Sequence, residues 1–133
     1  MSVKDETRYS NLLRAELERQ CKALTEKLHG SVFQEGLPDL LIGGIDGRIT
    51  MVELKNGHPH GPVAAINMMR GRQKGVCVRW AMRGCPVFIA GTDDGNKWWT
   101  LDLRTCKASV PESEWKFKDQ LTISQAALEI LYD

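Results

Sequence analysis

The chain has 133 residues, a formal net charge of +1, 42% hydrophobic residues and 26% charged residues. This length suits one domain with a buried core, and the composition is that of a globular protein rather than a disordered or membrane protein. No apolar run approaches the ~18 residues of a transmembrane helix, and the opening MSVKDETRYS is too polar for a secretory signal. We therefore expect a cytoplasmic protein without membrane association, whose four widely spaced cysteines are reduced and packed.

The first predicted element is an amphipathic helix over residues 11–28, in which leucines and Cys21 recur at helical spacing before Gly30 ends the pattern. Two short apolar runs follow, at 39–43 and 48–55. The pair Asp46-Gly47 between them is a tight-turn signal, so the two runs predict a β-hairpin.

A second helix is predicted within residues 63–83, because Gly84 and Pro86 follow it directly. Residues 86–90 and 97–103 are predicted strands joined by a turn at 92–96, and residues 110–119 show no clear pattern. Ser124 is the predicted cap of a last helix that runs to Tyr132. The order of helix, two strands, helix, two strands, helix predicts an α/β fold, with a mixed sheet flanked by helices.

The predicted hairpin gathers three ionisable side chains. A three-residue loop at 45–47 would pair Gly44 with Arg48 and place Asp39 opposite Glu53, whereas a two-residue loop would shift the pairing by one. Lys55 lies two residues beyond Glu53 and therefore projects from the same face of the strand.

Two facing carboxylates repel each other, and a divalent cation between them would remove that repulsion. Oxygen ligands without His or Cys suit Mg²⁺ or Mn²⁺, and the backbone carbonyl of Leu54 is a further candidate ligand. Such a metal would activate a water for phosphodiester hydrolysis, while Lys55 orients that water or stabilises the transition-state charge. The alternative is that Glu53 and Lys55 belong to a solvent-facing strand with an ordinary cross-strand ion pair. A Glu-x-Lys triplet without other signals would be better explained in this way.

The segment GLPDLLIGGIDGRITMVELKNG resembles the core of PD-(D/E)xK nucleases, in the form found in VRR-NUC domains and Holliday-junction resolvases. The resemblance extends over about residues 16–90, and Gly-x-Pro-Asp followed by Glu-x-Lys is its most specific part. It implies a restriction-endonuclease-like αβββαβ core, here with an additional C-terminal helix. We therefore expect a single nuclease domain over residues 1–133, with the core at about 11–103 and an extension at about 104–133.

The resemblance also implies roles for particular residues. Asp39 and Glu53 would hold Mg²⁺, for which Mn²⁺ could substitute, and Lys55 would be the catalytic lysine. Relatives tend to carry a Gln on the next helix, and Gln73 occupies that place, so it is expected as a fourth catalytic residue. Val76 and Trp80 follow it at helical spacing, which puts Gln73 on the inward face, where it could also be a simple polar cap. Many relatives use a Glu on the first helix, for which Glu16 fits the apolar stripe better than Glu18.

The middle of the chain is basic, because residues 54–92 contain no Asp or Glu. Such a stretch in a neutral protein is typical of a surface that meets phosphates, although a solvated helix face would explain it equally well. The two His of the loop at 56–62 could contact phosphate or help to bind a metal, or they could take no part in the site. The candidate DNA-binding residues are Arg70, Arg72, Lys74, Arg79, His58 and His60.

These features predict a Mg²⁺-dependent DNA endonuclease that selects branched DNA or junctions, in recombination, repair or phage DNA processing. A resolvase acts on a symmetric junction, so a homodimer is expected, with replication or recombination proteins as further partners. Two alternatives remain open: a non-catalytic nucleic-acid-binding protein with a nuclease fold, and an RNA endonuclease.

Overall fold

The computed structural model describes residues 3–28 and 36–132. The elements in chain order are α1 (Val3–Cys21), β1 (Leu24–Lys27), β2 (Leu40–Gly43), β3 (Ile49–Asn56), α2 (Pro62–Ile66), α3 (Arg72–Met82), β4 (Val87–Thr92), β5 (Trp98–Asp102), β6 (Phe117–Leu121) and α4 (Ile123–Tyr132). None of the helices in these two ranges is long and apolar enough to cross a membrane.

The strands form one mixed sheet in the order β1-β2-β3-β4-β5-β6. Only β3 and β4 are parallel, and α2 and α3 connect them, as a parallel pair requires. Residues 51–54 of β3 and all of β4 are buried, because helices cover both faces of the sheet at its centre. The predicted α/β fold with a mixed sheet flanked by helices is confirmed.

Two apolar clusters lie on opposite faces of the sheet. On one face, α1 and α4 pack over Val52, Leu54 and Phe88. On the other face, α2 and α3 pack over Met51 and Ile89. The predicted extension contributes to the sheet and to the apolar cluster under α1, because β6 pairs with β5 and α4 packs against α1.

The predicted first helix is only partly correct. It begins earlier, at Val3, and ends at Cys21, where Lys22 takes a positive φ of 52° and turns the chain into β1. Leu24, which seemed to continue the helical stripe, is 79% exposed on this edge strand. The predicted helix stop, Gly30, lies outside the described residues.

The predicted second helix is divided into α2 and α3. Gly71 precedes α3 with a φ of +58°, which glycine adopts without strain and which interrupts a continuous helix. Of the two residues whose spacing placed Gln73 on the inward face, Val76 is buried, whereas Trp80 is 46% exposed near the end of α3.

Two further differences lie near the C-terminus. The segment without a clear pattern contains the beginning of β6, whose residues are largely exposed and therefore show no alternation of apolar and polar positions. The cap of α4 is Thr122 rather than Ser124. The Gln125 amide donates to the Thr122 hydroxyl at 3.1 Å, and the Gln125 side chain accepts from the Thr122 amide at 2.8 Å.

Candidate active site

The β2–β3 hairpin has the register that a three-residue loop predicts. Gly43 pairs with Ile49 and Leu40 with Val52, and the Gly44 amide donates to the Arg48 carbonyl at 2.9 Å. Continuing this register by one residue places Asp39, which immediately precedes β2, opposite Glu53.

Asp39 is positioned by a hydrogen bond to β3 and by the packing of its loop against α3. The Leu54 amide donates to Asp39 Oδ2 at 3.0 Å, which ties the carboxylate to β3. Three residues earlier, Gly36 lies against α3 with a φ of +90°, and a Cβ there would come within 2.8 Å of Val76 Cγ2. The loop therefore needs a glycine at 36, both for its backbone conformation and for its close approach to the helix.

Glu53 is the most deeply buried carboxylate of the site, with 2% of its surface exposed. Burial, together with the charge of Asp39, raises the pKa of Glu53 to about 8, although Lys55 acts in the opposite direction. Burial also raises the pKa of Asp39, while the Leu54 amide and Lys55 lower it. Without a bound cation, this pair therefore holds a proton near neutral pH.

Lys55 links the carboxylates to α3. Its Nζ lies 3.2 Å from Glu53 Oε2 and donates to Gln73 Oε1, also at 3.2 Å. Gln73 is the second residue of α3, so the helix start is turned toward the end of β3. The structure thus brings together Asp39, Glu53, Lys55 and Gln73, four residues singled out in the sequence.

The residues present fit a divalent cation. Within the described residues, no N–H or O–H group donates to the buried Glu53 Oε1, so this oxygen depends on the proton that the carboxyl pair holds or on a cation in its place. Asp39 also lines a cavity of about 150 Å³ with Glu6 and Ser10 of α1, and the buried Ser10 hydroxyl has no partner in the same part of the chain. Asp39 and Glu53 supply hard oxygen ligands of the kind that Mg²⁺ prefers. Among the described residues, no three His, Cys, Asp or Glu side chains converge as a complete metal-binding group.

The structure does not bring Glu16 to this pair. Its carboxylate binds Arg19 at 2.6 Å and accepts from the Ser124 hydroxyl at 2.8 Å, which directs it toward α4. Glu18 accepts from Thr25 on β1. The acidic residue of α1 that lines the Asp39 cavity is Glu6, nearly three turns before Glu16.

Sequence reasoning missed Glu6 and Lys27, and both line the Asp39 cavity. Glu6 was missed because the predicted helix began at residue 11. The first turn of the observed α1 contains Asp5 and Glu6, and acidic residues at this position are a helix-start signal. Lys27 was missed because it was assigned to the end of that helix, whereas β1 carries it to the site, where its charge lowers the pKa of Asp39.

The predicted DNA-binding residues occupy different environments. Arg70, Arg72 and Arg79 are exposed along α3 and just before it, while the Lys74 ammonium donates to Asn67 Oδ1 at 2.9 Å. His58 Nε2 lies 2.8 Å from Asp119 Oδ1 of β6, so this His ties the loop after β3 to the edge of the sheet.

The remaining predicted contact, His60, is exposed in that same loop. The two tryptophans of β5 are fully buried, one in each apolar cluster, which leaves neither available to stack on a base. The Trp99 indole donates to the Gly57 carbonyl at 2.8 Å and so anchors the loop after β3 to β5.

The mixed sheet and its hairpin with two carboxylates and a lysine resemble the core of PD-(D/E)xK nucleases, and two solved structures are similar to this chain. One is a VRR_NUC domain, with 27% sequence identity and a TM-score of 0.53, matched over 66% of this chain and 85% of that chain. The other is Hjc of Archaeoglobus fulgidus, a Holliday junction resolvase, with 15% identity and a TM-score of 0.55, matched over 91% and 98%. At 15% identity the second likeness is one of fold. No protein-family model and no curated protein matches the sequence.

Proposed function

We propose that the chain is a Mg²⁺-dependent DNA endonuclease that selects branched or junction DNA. The observation that carries this proposal is the pair formed by the buried Glu53 and the half-buried Asp39, with Lys55 Nζ 3.2 Å from Glu53. Two neighbouring carboxylates of which one is fully buried are costly in a structure that has no use for them, and a cation with oxygen ligands would relieve that cost. The likeness to a VRR_NUC domain and to a Holliday junction resolvase supports the choice of substrate.

Each residue of the site has a distinct task in this proposal. Asp39 and Glu53 would hold Mg²⁺, with the Leu54 carbonyl as an additional candidate ligand. The bound ion would polarise the phosphodiester and lower the pKa of the attacking water. Lys55 would orient that water or stabilise the charge that develops on the phosphate.

Gln73 acts through Lys55 rather than on the substrate. Its side-chain oxygen accepts from the Lys55 ammonium, which otherwise would be held by Glu53 alone. With Glu53 and Gln73 as two acceptors, the flexible lysine side chain is held in one position between them. We therefore regard Gln73 as a positioning residue.

We further propose that the enzyme works as a homodimer on DNA, because a symmetric junction presents two strands to a two-fold assembly. A partly apolar surface on β1–β3 supports this proposal. Leu24, Leu41 and Ile49 line one cavity there, and Leu24 and Ile49 are 79% and 60% exposed. Replication or recombination proteins are further candidate partners.

The direct test is cleavage by the full chain of a four-way junction, supercoiled plasmid, blunt duplex and structured RNA, each with Mg²⁺ or with EDTA. We expect the junction to be cut fastest, in Mg²⁺ only, and Asp39→Ala to abolish the cutting. Cleavage of RNA alone would change the substrate class. Binding of DNA without cleavage in Mg²⁺ or Mn²⁺ would contradict the enzymatic proposal.

A further inference from the structure

An exposed tryptophan stands between two arginines near the end of α3. Trp80 is 46% exposed, whereas Trp98 and Trp99 are fully buried. Arg79 directly precedes it, and Arg83 follows one helical turn later. Together with Cys85, these three side chains line an open cavity of about 340 Å³.

The cavity is positively charged. Neither Arg79 nor Arg83 forms an ion pair in the described parts of the chain, and both lie in the stretch 54–92 that contains no carboxylate. A single exposed aromatic residue is common on protein surfaces. An indole face beside two unpaired guanidinium groups is more specific, because it offers stacking and phosphate contacts in one place.

The cavity also lies on the helix that begins at the active site. Gln73 contacts Lys55 at the start of α3, and Trp80 follows seven residues later on the same side of the helix. Seven residues correspond to a rise of about 10 Å. At the ~3.4 Å spacing of nucleotides along one strand, this separation is roughly three nucleotides.

We propose that Arg79, Trp80, Arg83 and Cys85 form a subsite for an unpaired nucleotide of a DNA substrate, whose base stacks on Trp80 while the neighbouring phosphates contact the two arginines. The bases of an intact duplex are already stacked on each other, so only a strand with an unpaired base can use this site. This inference rests on the proposed function and deepens it, because it gives the enzyme a means of selecting flapped or branched DNA over plain duplex.

The test is binding in EDTA, measured by fluorescence anisotropy with labelled oligothymidylate, a flapped duplex and a blunt duplex. We expect Trp80→Ala to weaken binding of the first two about 5- to 150-fold, the range for loss of one stacked base, and to change blunt-duplex affinity less than about two-fold. Trp80→Phe should retain most of the affinity. Tyr132→Ala, which removes a 59% exposed aromatic side chain from α4 on the opposite face of the sheet, is the matched control and should change nothing.

A second variant separates stacking from charge. Replacing both Arg79 and Arg83 with Ala should reduce the log-log salt dependence of oligothymidylate binding by about 0.7 for each lost phosphate contact. This measurement does not require that Trp80 be altered, so it keeps the subsite testable if Trp80→Ala is unstable.

Three results would overturn the subsite. The first is an equal loss of affinity for flapped and blunt DNA in Trp80→Ala. The second is unchanged affinity for all three ligands in both variants, which would assign the surface to another class of partner. The third is a change in oligomeric state of Trp80→Ala by sedimentation velocity, which would make the patch a contact between copies of the chain. All of these readouts are independent of cleavage, so a wild-type protein that binds flapped DNA as expected and cuts nothing would refute only the proposed function.

Discussion

At the scale of single residues, the chemistry of the site follows from the burial of Glu53. Its surroundings raise its pKa to about 8, so the metal-free protein keeps a proton there that the unfolded chain, with its ordinary carboxyl group, would release. A cation that displaces this proton would bind two carboxylates already aligned by the hairpin. The same group thus weakens the metal-free fold at high pH and, under the proposed function, would contribute to the affinity for metal.

The pH dependence of stability has a definite sign. Between the ordinary pKa of a Glu and about 8, the folded state binds more protons than the unfolded state, so the free energy of unfolding falls as pH rises through this window. We expect the melting temperature of the wild type in EDTA to fall from pH 5 to 9 more than that of Glu53→Gln. Parallel curves for the two proteins would contradict the buried, protonated carboxyl.

Metal removal gives a second prediction for the same residues. Mg²⁺ should raise the melting temperature of the wild type, because it binds the folded state alone. It should have little effect on Asp39→Ala or Glu53→Gln, and in EDTA both variants should melt at or above the wild-type temperature, since each relieves the repulsion of the pair. An equal Mg²⁺ shift in all three proteins would place the bound ion elsewhere.

At the scale of elements, the hairpin and the loop before it determine the site. The loop of residues 36–39 reaches the end of the hairpin only because Gly36 packs within van der Waals range of Val76 on α3. A branched side chain on a helix has little freedom to move away, so any added atom at Gly36 must displace the loop itself.

We therefore expect Gly36→Ala to lower the cleavage rate strongly, because the loop shifts and carries Asp39 away from Glu53. Gly84→Ala is a matched control, since Gly84 has the same φ of +90° and nothing within 4 Å of an added Cβ. Gly84→Ala should show only the modest loss of stability expected for a left-handed alanine. If both variants cut DNA at the same rate, the contact with α3 does not position Asp39.

The accuracy of the sequence predictions also differed from element to element. The hairpin register was predictable, because the turn chemistry of Asp46-Gly47 and the spacing of Gly44 and Arg48 are local signals. The end of the first helix was not, because Leu24 continues an apolar stripe while its burial is decided by the neighbouring strand. The same limit explains Glu6 and Lys27, whose approach to Asp39 depends on how α1 and β1 pack on the sheet.

At the scale of the whole molecule, the positive charge of α3 lies at the same end of the sheet as the carboxylates of the site. The chain is almost neutral, yet α3 and the residues just before it carry only cations. The C-terminal segment supports the same end from the sheet edge, where Asp119 of β6 contacts His58 in the loop that follows the Glu-x-Lys strand. A nucleic-acid backbone that follows α3 would therefore meet positive charge along its path to the carboxylates.

Replacing Arg70 and Lys74 together with Ala tests this surface. Duplex binding should weaken about equally for unrelated sequences, and its log-log salt dependence should fall by about 0.9 for each lost phosphate contact. Lys107→Ala, an exposed lysine outside the basic stretch, is the control and should keep the wild-type slope. An unchanged slope in the double variant would make these residues an ordinary solvated helix face.

The most direct measurement for the site as a whole is single-turnover cleavage of a four-way junction by Lys55→Ala at saturating enzyme and Mg²⁺, with DNA affinity measured in parallel. Both carboxylates remain, so metal and DNA should still bind, while the loss of one preorganised cation should slow cutting about 10²- to 10³-fold. Affinity should fall only modestly, because one phosphate contact is a small part of a multi-contact interface. Slow cleavage with nearly normal binding is the predicted result, and a variant that cuts as fast as the wild type would contradict the assignment of Asp39, Glu53 and Lys55 as a nuclease active site.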